Sequence, residues 1–572
     1  MLFATPEGRS SYNGPMAHAP RILPALLVLL THLAAQEEGQ RLQAAYQAID
    51  VYVDRLMTWH GTPGMAVAVT SRDRLLRARY AGHADVKSRR PVTRETLYQI
   101  GSITKSFTAI ALLQQKEKGR FDPMKPVTAW LPWFSVKTTF APITSHHLLM
   151  HTAGIPGNRD DMTHGPYQAW ALREQETAWA PGERFHYSNV GYQVLHQVLQ
   201  RVSGRPYAEV IRHGILKPLG MTHTEPIIAA ASRLRQAIGY RRLYDDRPAH
   251  RSHPLVESQF VEYGVGDGCI AATTEDLAAY TRMLLARGKG PQGRVLSKES
   301  FARFIDGGKA GYGYGMGVRR VGGRTELRHS GGMLGITSQL AGDLDSGIGV
   351  VAFANGPGDP AKLARFALKA ARSALQGKEL PTIPDPSARR PLEKPERFSG
   401  SYQGARGRFK IVVEGGALVL VQASGKIPLE HVSGAIFQTP HAAFDRFQFR
   451  FAGPDERGFT YVTHGGAWYA NERYQGKREF PVPPEWARFT GHYRSYSPWS
   501  SNFTVIVRRG QLLLVTAEGG ETSVDEQPLT ARPEGGFFVS KPPSPEVLRF
   551  DTVVDGRALR ALFSGHVFHR TP

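Results

Sequence analysis

Cysteine is almost absent from this chain, since Cys269 is the only one among 572 residues. A single cysteine excludes an intramolecular disulfide. The hydrophobic content of 41% is that of an ordinary folded protein, and the length predicts two to four domains. Cys269 follows the glycine-rich stretch GVGDG, and we interpret it as a small packed residue rather than a nucleophile.

Long apolar stretches are lacking as well. One shorter run, residues 22–30, follows Arg21 and precedes small residues. It is too short to span a bilayer comfortably and is typical of a secretory signal, which we place over residues 1–35 with Met16 as an alternative start. No cysteine follows the run, which excludes a lipoprotein. We therefore predict a secreted or periplasmic protein with no stable membrane span after signal removal; a helix at the start of a cytoplasmic protein is the less favoured alternative.

Acidic residues are also few, because 50 Asp and Glu face 71 Lys and Arg and give a formal net charge of +21. Such a charge favours anionic partners such as nucleic acid, lipid headgroups or an acidic cell-wall polymer. The cations are scattered in short runs such as KSRR, and no nucleic-acid-binding module is recognisable. We expect a generally basic surface and no nucleic-acid partner, and we keep an anionic cell-wall polymer as a candidate partner.

The first two thirds of the chain contains clear helix and strand patterns. They are a strand pair over 64–82, helices over 102–119, 188–204 and 273–288, and a second strand pair over 338–356. In the last of these helices, Thr274 is the expected N-cap and Gly288 the expected stop. Helices in the middle and strands at both ends indicate an α/β (α+β) sandwich whose sheet joins the two ends, and we assign residues 36–379 to it.

The last third of the chain differs in composition and in its strand pattern. Residues 380–395 are rich in proline and are predicted to be a linker. Beyond them, GRFKIVVEGGALVLV (407–421) aligns without gaps to SNFTVIVRRGQLLLV (501–515). Short alternating strands and glycine turns in both copies indicate two small antiparallel β-barrels, which we place at residues 396–480 and 484–572.

A serine and a lysine stand three residues apart, Ser102 and Lys105, where a helical pattern begins. A serine that attacks a carbonyl group needs a base, an oxyanion donor and a fixed geometry. Lys105, one turn along the same helix face, can act as that base only if burial or neighbouring cations keep it partly neutral. Taken alone, the pair fits an ordinary surface helix better, so other motifs must decide.

Two more motifs follow in order, Y-S-N at 187–189 and H-S-G-G at 329–332. The same patterns, Y-x-N and H-x-G, recur at 469–471 and 464–466 inside the first predicted barrel, where we interpret them as turns. Because such triplets arise so easily, only their surroundings can give them a function.

Other candidate sites are weaker. His147 and His151 are spaced like a metal-binding pair, but no H-E-x-x-H glutamate accompanies them. No G-x-S-x-G elbow supports an α/β-hydrolase fold. Tyr312 and Tyr314 either border a pocket or pack within a strand. We expect no metal and no cofactor.

Five blocks in the correct order carry a resemblance that the triplets alone cannot. They are YQIGSITKSFTAIALLQQKEKGRFD, LLMHTAGIPG, APGERFHYSNVGYQVLHQVLQRVSGRPY, ILKPLGMTHT and RHSGGMLGITSQL. Together they resemble the penicillin-recognising serine hydrolases, the family of class C β-lactamases, DD-peptidases, D-aminopeptidases and related esterases. The resemblance covers residues 40–375 and implies a β-lactamase/transpeptidase-like sandwich. The two barrels look like the lipocalin-like modules appended to some members.

The resemblance implies a role for each motif. Ser102 would be the acylated nucleophile, and Lys105 its neighbouring base or proton relay. Tyr187 would carry the proton to the leaving group, while Asn189 would orient Lys105 and bind a substrate amide. His329 takes the place of the lysine in the family's K-T-G motif, as in many members that are not β-lactamases, and this weakens the case for β-lactamase activity.

The family's oxyanion hole would be formed by the backbone N–H groups of Ser102 and Gly332. Gly331 and Gly332 would also let substrate backbone pair along a strand that is bare of side chains. Whether Lys105 or Tyr187 is the acylation base stays open.

We therefore expect an exported serine hydrolase that forms an acyl-enzyme on Ser102 and cleaves small peptides or amides, with D-amino acids favoured on family grounds alone. The alternatives are a carboxylesterase with the same machinery, a penicillin- or peptidoglycan-binding sensor that is acylated without turnover, and a cell-wall-binding protein. In D-aminopeptidases a barrel loop can reach the active site and limit substrate length. RSYSPWSSN (494–502) is the corresponding candidate loop, with an exposed turn as its alternative.

Overall fold

Two kinds of structure follow one another along the chain: a domain of helices around an antiparallel sheet, and then two closed barrels of eight strands each. The computed structural model describes residues 22–158, 165–308, 310–388, 392–517 and 525–572. The fold class expected from the sequence is thereby confirmed. Residues 1–21 of the predicted signal lie outside the described residues. Within the described part of the chain, no helix is both long and apolar enough to cross a membrane.

The strands of the first domain are short or of medium length. They are β1 (Gly64–Thr70), β2 (Leu75–Asp85), β3 (Arg90–Pro91), β4 (Tyr98–Gln99), β5 (Tyr240–Arg242), β6 (Leu255–Glu257), β7 (Ala271–Ala272), β8 (Lys289–Gly290), β9 (Gly293–Arg294), β10 (Gly317–Val321), β11 (Arg324–Met333), β12 (Ile336–Asp343) and β13 (Ile348–Ala354). Seven of them form the main sheet in the order β10-β11-β12-β13-β1-β2-β3. Because β13 pairs with β1, the sheet joins the two ends of the domain as predicted.

The α-helices of the described residues all belong to this domain. They are α1 (Ile22–His60), α2 (Thr104–Glu117), α3 (Ser145–Leu149), α4 (Gly165–Ala171), α5 (Asn189–Ser203), α6 (Tyr207–Ile211), α7 (Lys217–Leu219), α8 (Thr274–Leu285), α9 (Lys298–Phe304) and α10 (Pro360–Leu375). Helices α1 and α10 cover one face of the sheet, and most of the others form a larger core on the opposite face. Strands β1 and β13 are buried along their whole length because both of their faces are covered.

The local predictions hold with three corrections, the first of which is that α8 ends at Leu285, three residues before the predicted stop at Gly288. The strand pair over 64–82 is β1 and β2, and the helix over 188–204 is α5, capped by the Ser188 side chain and ended by Gly204 in the left-handed conformation. The prediction of Thr274 as a cap is wrong, since the Thr273 side chain accepts the capping hydrogen bond from the Asp276 N–H. Ser102 does not open an α-helix but lies in a short 3-10 turn, after which α2 begins.

The first barrel is a closed antiparallel sheet packed around phenylalanine and tyrosine side chains. Its strands are β14 (Gly400–Gly404), β15 (Gly407–Glu414), β16 (Ala417–Gln422), β17 (Gly425–Ser433), β18 (Ile436–Gln438), β19 (Phe449–Asp455), β20 (Gly458–His464) and β21 (Ala467–Ala470).

The second barrel repeats this architecture. Its strands are β22 (Gly491–Arg494), β23 (Asn502–Arg508), β24 (Gln511–Thr516), β25 (Asp525–Ala531), β26 (Phe537–Val539), β27 (Val547–Val554), β28 (Arg557–Phe563) and β29 (His566–Arg570). The repeated sequence stretches form the second and third strands of each barrel, β15 and β16 in one and β23 and β24 in the other.

One loop of the first domain contacts both barrels. It connects β5 to β6, spans residues 243–254, and is named the docking loop below. Arg247 of this loop lies 2.5 Å from Asp445 of the first barrel, and Asp245 accepts two hydrogen bonds from Arg494 of the second, at 2.6 and 3.2 Å. The barrels are therefore fixed against the domain by ion pairs rather than held by the linker alone.

Candidate active site

Ser102 and Lys105 lie together where the 3-10 turn leads into α2. The Lys105 amine nitrogen Nζ donates to Ser102 Oγ at 3.0 Å and to the carbonyl oxygen of Asp267 at 2.7 Å. Lys105 is fully buried, whereas Ser102 is half-buried. The amine is thus shielded from bulk water while the hydroxyl can be reached, and the pair is not part of an ordinary surface helix.

Helix α2 holds this pair rigidly because it runs through the larger core. Phe107 stacks on Tyr280 with ring centres 3.9 Å apart, and both are buried. At the first turn, the Thr104 hydroxyl accepts a hydrogen bond from the Ile270 N–H at 3.2 Å. A helix packed on nearly every side cannot turn or slide, so Lys105 stays beside Ser102.

The glycines of β11 bring the strand backbone against the 3-10 turn. A Cβ atom on Gly331 would overlap the carbonyl oxygen of Ile100, and one on Gly101 would lie 2.7 Å from the nitrogen and the oxygen of Gly332. Gly101 also has a φ of +49°, which disfavours a side chain. These close approaches set the backbone of Gly332 next to the turn that carries Ser102, and the exposed Gly332 faces open space.

Tyr187 and Asn189 approach the pair from the start of α5. Lys105 Nζ lies 5.0 Å from the centre of the Tyr187 ring. Asn189 donates from its side-chain nitrogen to Asn158 Oδ1 at 2.9 Å, while its buried Oδ1 has no hydrogen-bond partner among the described residues. Between Asn189 and Lys105 the described residues contain no hydrogen bond, so Asn189 has an unused acceptor.

His151 contributes to the site in a way that the sequence did not reveal. Its Nδ1 accepts a hydrogen bond from the Ser188 N–H at 3.0 Å, and its ring lies 4.3 Å from that of Tyr187, centre to centre. Burial, together with the charge of Lys105, holds the pKa of His151 well below its usual range. His151 is thus a neutral support for the tyrosine. In the sequence, His151 is marked only by its place in the block LLMHTAGIPG and by its spacing from His147.

His329 lies on β11 and is also held neutral. Its Nε2 is hydrogen-bonded to the Tyr312 hydroxyl at 2.8 Å, and its Nδ1 to the carbonyl oxygen of Ser330 at 2.6 Å. Burial, with the charge of Lys105 nearby, lowers the pKa of His329 to about 4. Tyr312 therefore borders the site. Tyr314 lies behind it, and its hydroxyl is hydrogen-bonded to His146 Nδ1 at 2.8 Å.

A buried carboxyl group closes the inner side of the site. Asp267, whose backbone oxygen holds Lys105, accepts a hydrogen bond through its Oδ1 from the Tyr263 hydroxyl at 2.8 Å. Burial raises the pKa of the Asp267 carboxyl. No sequence signal pointed to Asp267 or Tyr263, because each lies more than 150 residues from Lys105 along the chain.

A cavity of about 1270 Å³ opens beside Gly332 and Met333. The candidate loop 494–502 forms part of its wall through residues that include Tyr496 and Trp499, and the docking loop forms another part. Trp499 also packs on Tyr263, with ring centres 5.8 Å apart. The loop of the second barrel is therefore in contact with the residues around the site, and not simply an exposed turn.

The remaining sequence candidates lie elsewhere. His147 Nδ1 is bonded within its own helical turn to Thr144, and the buried Cys269 donates to the Pro226 carbonyl oxygen at 3.3 Å. Among the described residues, no group of three or more His, Cys, Asp or Glu side chains is arranged to bind a metal ion. The assembled groups are instead a serine hydroxyl, a buried amine, a phenol and a neutral imidazole, which is a set suited to acyl transfer with proton relay.

Comparison with known proteins finds a family match over the first domain. The family model described as Beta-lactamase matches residues 49–373, more than half of the chain. The chain is 26% identical over 382 residues to "Penicillin-binding protein 4*" of Bacillus subtilis (strain 168), an alignment that covers 61% of this chain and 81% of that protein. It is 28% identical over 255 residues to "Protein flp" of Staphylococcus aureus (strain NCTC 8325 / PS 47), covering 42% of this chain and 49% of that protein.

Among solved structures, the chain is similar to the octameric penicillin-binding protein homologue from Pyrococcus abyssi. The TM-score is 0.53 and the sequence identity 26%, and the match covers 74% of this chain and 98% of that one.

Proposed function

Because the chain belongs to the beta-lactamase family, whose members are generally serine hydrolases, we propose that it cleaves small peptide or amide substrates through an acyl-enzyme on Ser102. The observation that carries this proposal is the 3.0 Å contact between Lys105 Nζ and Ser102 Oγ, with the lysine fully buried. An amine held beside a serine hydroxyl and shielded from water is what activation of the nucleophile requires.

In the first step, Ser102 Oγ attacks the carbonyl carbon of the substrate, and its proton passes to the uncharged amine form of Lys105 or to the phenolate form of Tyr187. The route to Lys105 is supported by the 3.0 Å between Lys105 Nζ and Ser102 Oγ. Tyr187 remains the alternative base, because its ring centre lies 5.0 Å from the same amine. The negative oxygen of the tetrahedral intermediate is then held by the backbone N–H groups of Ser102 and Gly332. The close approach of the Gly101 and Gly332 backbones supports this assignment.

In the second step, the bond from carbonyl carbon to leaving nitrogen breaks, and the nitrogen receives the proton that the serine gave up. The acyl group remains as an ester on Ser102 until water attacks the ester carbonyl and releases a carboxylic acid. The unused acceptor Oδ1 of Asn189 supports its role in binding a substrate N–H.

His329 favours substrates that do not need a cation for a carboxylate at this position, which weakens the case for β-lactams. A lysine at this position would offer a positive charge to a substrate carboxylate, whereas His329, with a pKa of about 4, is uncharged at neutral pH. The cavity lined in part by Gly332 adjoins the strand that we assign to substrate backbone, which supports a substrate extending beyond the scissile bond.

The test is turnover of matched chromogenic substrates: D-alanyl and L-alanyl p-nitroanilide, with p-nitrophenyl acetate alongside. Ser102→Ala is the blank, and Ser203→Ala, at the far end of α5, is the matched control for a serine-to-alanine change. We expect turnover in the wild type and in Ser203→Ala, and none in Ser102→Ala. Faster cleavage of the D-amide than of the L-amide would establish the stereochemical preference.

The other outcomes point to the alternatives. Ester cleavage without amide cleavage would make the protein a carboxylesterase with the same machinery. Stable labelling of Ser102 by a penicillin without turnover would make it a sensor. If all three substrates are cleaved as fast by Ser102→Ala as by the wild type, the proposal is wrong.

Export and a cell-wall partner belong to the same proposal. The signal-like sequence over 1–35 and the formal net charge of +21 support them. Sequencing the N-terminus of the mature protein would test export. Binding to an anionic wall polymer should weaken as salt rises and should persist in Ser102→Ala.

A further inference from the structure

We propose that Glu546, from the second barrel, is a positioning residue for the segment that carries Tyr187 and Asn189. This role rests on the proposed function of those two residues. Glu546 immediately precedes β27, and its side chain is 19% exposed. It is a barrel residue whose side chain contacts Gly157 and His186 of the first domain, next to the proposed catalytic groups.

The carboxylate of Glu546 is held from its own barrel and directed into the other domain. One oxygen, Oε2, accepts a hydrogen bond from the Ser564 hydroxyl, and the Glu546 N–H donates to Ser544 Oγ at 3.2 Å. The other oxygen, Oε1, accepts from the Gly157 N–H at 2.7 Å and lies 3.1 Å from His186 Nε2. A carboxylate oxygen that joins two points of another domain fixes their separation.

Those two points support the start of α5 from both sides. The carbonyl oxygen of Gly157 accepts hydrogen bonds from the N–H groups of Asn189 and Val190, at 2.7 and 3.3 Å. His186 directly precedes Tyr187, and its N–H donates to the His151 carbonyl oxygen at 2.7 Å. A displacement of Gly157 or His186 therefore moves the backbone of Tyr187 and Asn189.

The contact is also tight enough to transmit small changes. A Cβ atom on Gly157 would lie 3.2 Å from Glu546 Oε1 and 3.2 Å from the Tyr187 carbonyl oxygen. The glutamate, the glycine and the tyrosine backbone are thus packed against one another with no spare space. Without the carboxylate, the Gly157 N–H loses this acceptor and the segment gains room to shift.

Another contact of the same barrel provides a matched control. Arg532 reaches Glu176 of the hydrolase domain at 3.5 Å, and the Glu176 side chain is 61% exposed. Glu176 lies outside the segment around Tyr187. A change at Glu176 perturbs the docking of the barrel without touching the hydrogen bonds of Gly157 and His186.

The experiment compares Glu546→Ala, Glu546→Gln and Glu176→Gln in the full chain, with the Ser102-dependent hydrolysis of p-nitrophenyl acetate as readout. We expect Glu546→Ala to lower kcat about tenfold with KM within about twofold, because the proposed catalytic groups are displaced while the binding surface remains. Glu546→Gln keeps an acceptor for the Gly157 N–H and should recover most of the loss. Glu176→Gln should match the wild type.

Hydrogen exchange separates this proposal from the failure of the proposed function. Amides over 155–158 and 186–190 should exchange faster in Glu546→Ala than in Glu176→Gln, at matched thermal stability. Equal kcat in Glu546→Ala and wild type overturns the proposal, as does an equal loss in Glu546→Ala and Glu176→Gln. A wild type without Ser102-dependent turnover refutes the proposed function itself; the exchange data would then assign Glu546 a structural role only and overturn the positioning role too.

Discussion

At the scale of single residues, His329 is a buried imidazole that stays uncharged beside a lysine. Burial and Lys105 lower its pKa to about 4, against about 6.5 in an unfolded chain. Acid therefore protonates the unfolded form first and favours unfolding. The stability of the fold should fall as pH drops from about 6.5 toward 4 through this residue.

His329→Gln removes this titration and should flatten that part of the pH dependence. Between pH 7.5 and 5.0, the wild type should lose about 2 kcal/mol more free energy of unfolding than the variant. Urea unfolding of both proteins at the two pH values measures the difference. Because other buried histidines titrate in both proteins, only the difference is informative; parallel losses would contradict the assigned pKa.

Gly331 and Gly332 are adjacent, but an added methyl group should destabilise the fold at Gly331 and leave its stability unchanged at Gly332. In Gly331→Ala the new Cβ overlaps the Ile100 carbonyl oxygen, so the strand must move away from the turn that carries Ser102. We expect Gly331→Ala to lower the free energy of unfolding by about 2 kcal/mol or more, since neither backbone can yield easily.

Gly332→Ala is the matched control for folding, because its Cβ would meet nothing within 4 Å. Its free energy of unfolding should stay close to that of the wild type, while KM for p-nitrophenyl acetate should rise, because the methyl group enters the open space beside the site. Thermal or urea unfolding of both variants measures the contrast. Equal stability of the two variants would show that β11 and the 3-10 turn are not in close contact.

The sequence could identify the residues with conspicuous chemistry but not those that support them. Ser102 and Lys105 are recognisable through the sequence blocks around them rather than through their spacing, and the structure places Lys105 Nζ 3.0 Å from Ser102 Oγ. His151 has the sequence spacing from His147 that a metal-binding pair would have, yet its Nδ1 accepts a hydrogen bond from the Ser188 N–H. Such partners meet through the packing of loops that are distant in sequence, and no local pattern records that packing.

At the scale of elements, regular periodicity was predictive and boundaries were less so. The two stretches that align without gaps form equivalent strand pairs in the two barrels. This agreement is expected, because a β-hairpin with a fixed turn determines its own register. The start of α8 was displaced by one residue, since Thr273 and Thr274 are chemically identical caps and only the backbone conformation separates them. The 3-10 turn at Ser102 depends on the contact of Gly101 with Gly332, which is a tertiary effect.

The two barrels are joined by an arginine enclosed by aromatic rings. Arg509, in the turn between β23 and β24, lies 3.9 Å from the Tyr461 ring centre and 5.0 Å from that of Phe480, and donates to the Tyr474 hydroxyl at 3.0 Å. A guanidinium that is partly removed from water and stacked on rings is attracted to their π faces.

Arg509→Ala should therefore weaken the contact between the barrels by about 1–2 kcal/mol, whereas Arg509→Lys keeps the charge and should lose less. Limited proteolysis in the segment 472–483, between the barrels, should become faster in the order wild type, lysine, alanine. Arg557→Ala, at an exposed position on β28, is the control and should leave the rate unchanged. Cleavage of Arg509→Ala at the wild-type rate would mean that other contacts alone join the barrels.

At the scale of the whole molecule, the docking loop places carboxylates opposite cations at both barrels. Glu430 of the first barrel accepts from His250 at 3.0 Å and from Arg251 at 2.9 and 3.1 Å, and these hydrogen bonds lower its pKa to about 2. At the second barrel, burial raises the pKa of Asp245, but the hydrogen bonds from Arg494 and Ser501 and the nearby arginine charges together lower it. These pairs could not be predicted from the sequence, because surface charges have no periodicity that reveals their partners.

A carboxyl group whose pKa is lowered on folding stabilises the folded state above its unfolded pKa of about 4.3, and this stabilisation is lost as pH falls through the folded value. For Glu430 the pH window extends from about 4.3 down to about 2, so the first barrel should stay docked at neutral pH and begin to separate in that acidic range.

Glu430→Gln should loosen the contact already at pH 7 and respond less to acid. Small-angle X-ray scattering from pH 7 to 3 reports the separation as a rise in the radius of gyration. Glu414→Gln is the control, since Glu414 pairs with Lys426 inside the same barrel and should behave like the wild type. If Glu430→Gln and Glu414→Gln scatter alike at every pH, the ion pairs of the docking loop do not hold the barrel in place.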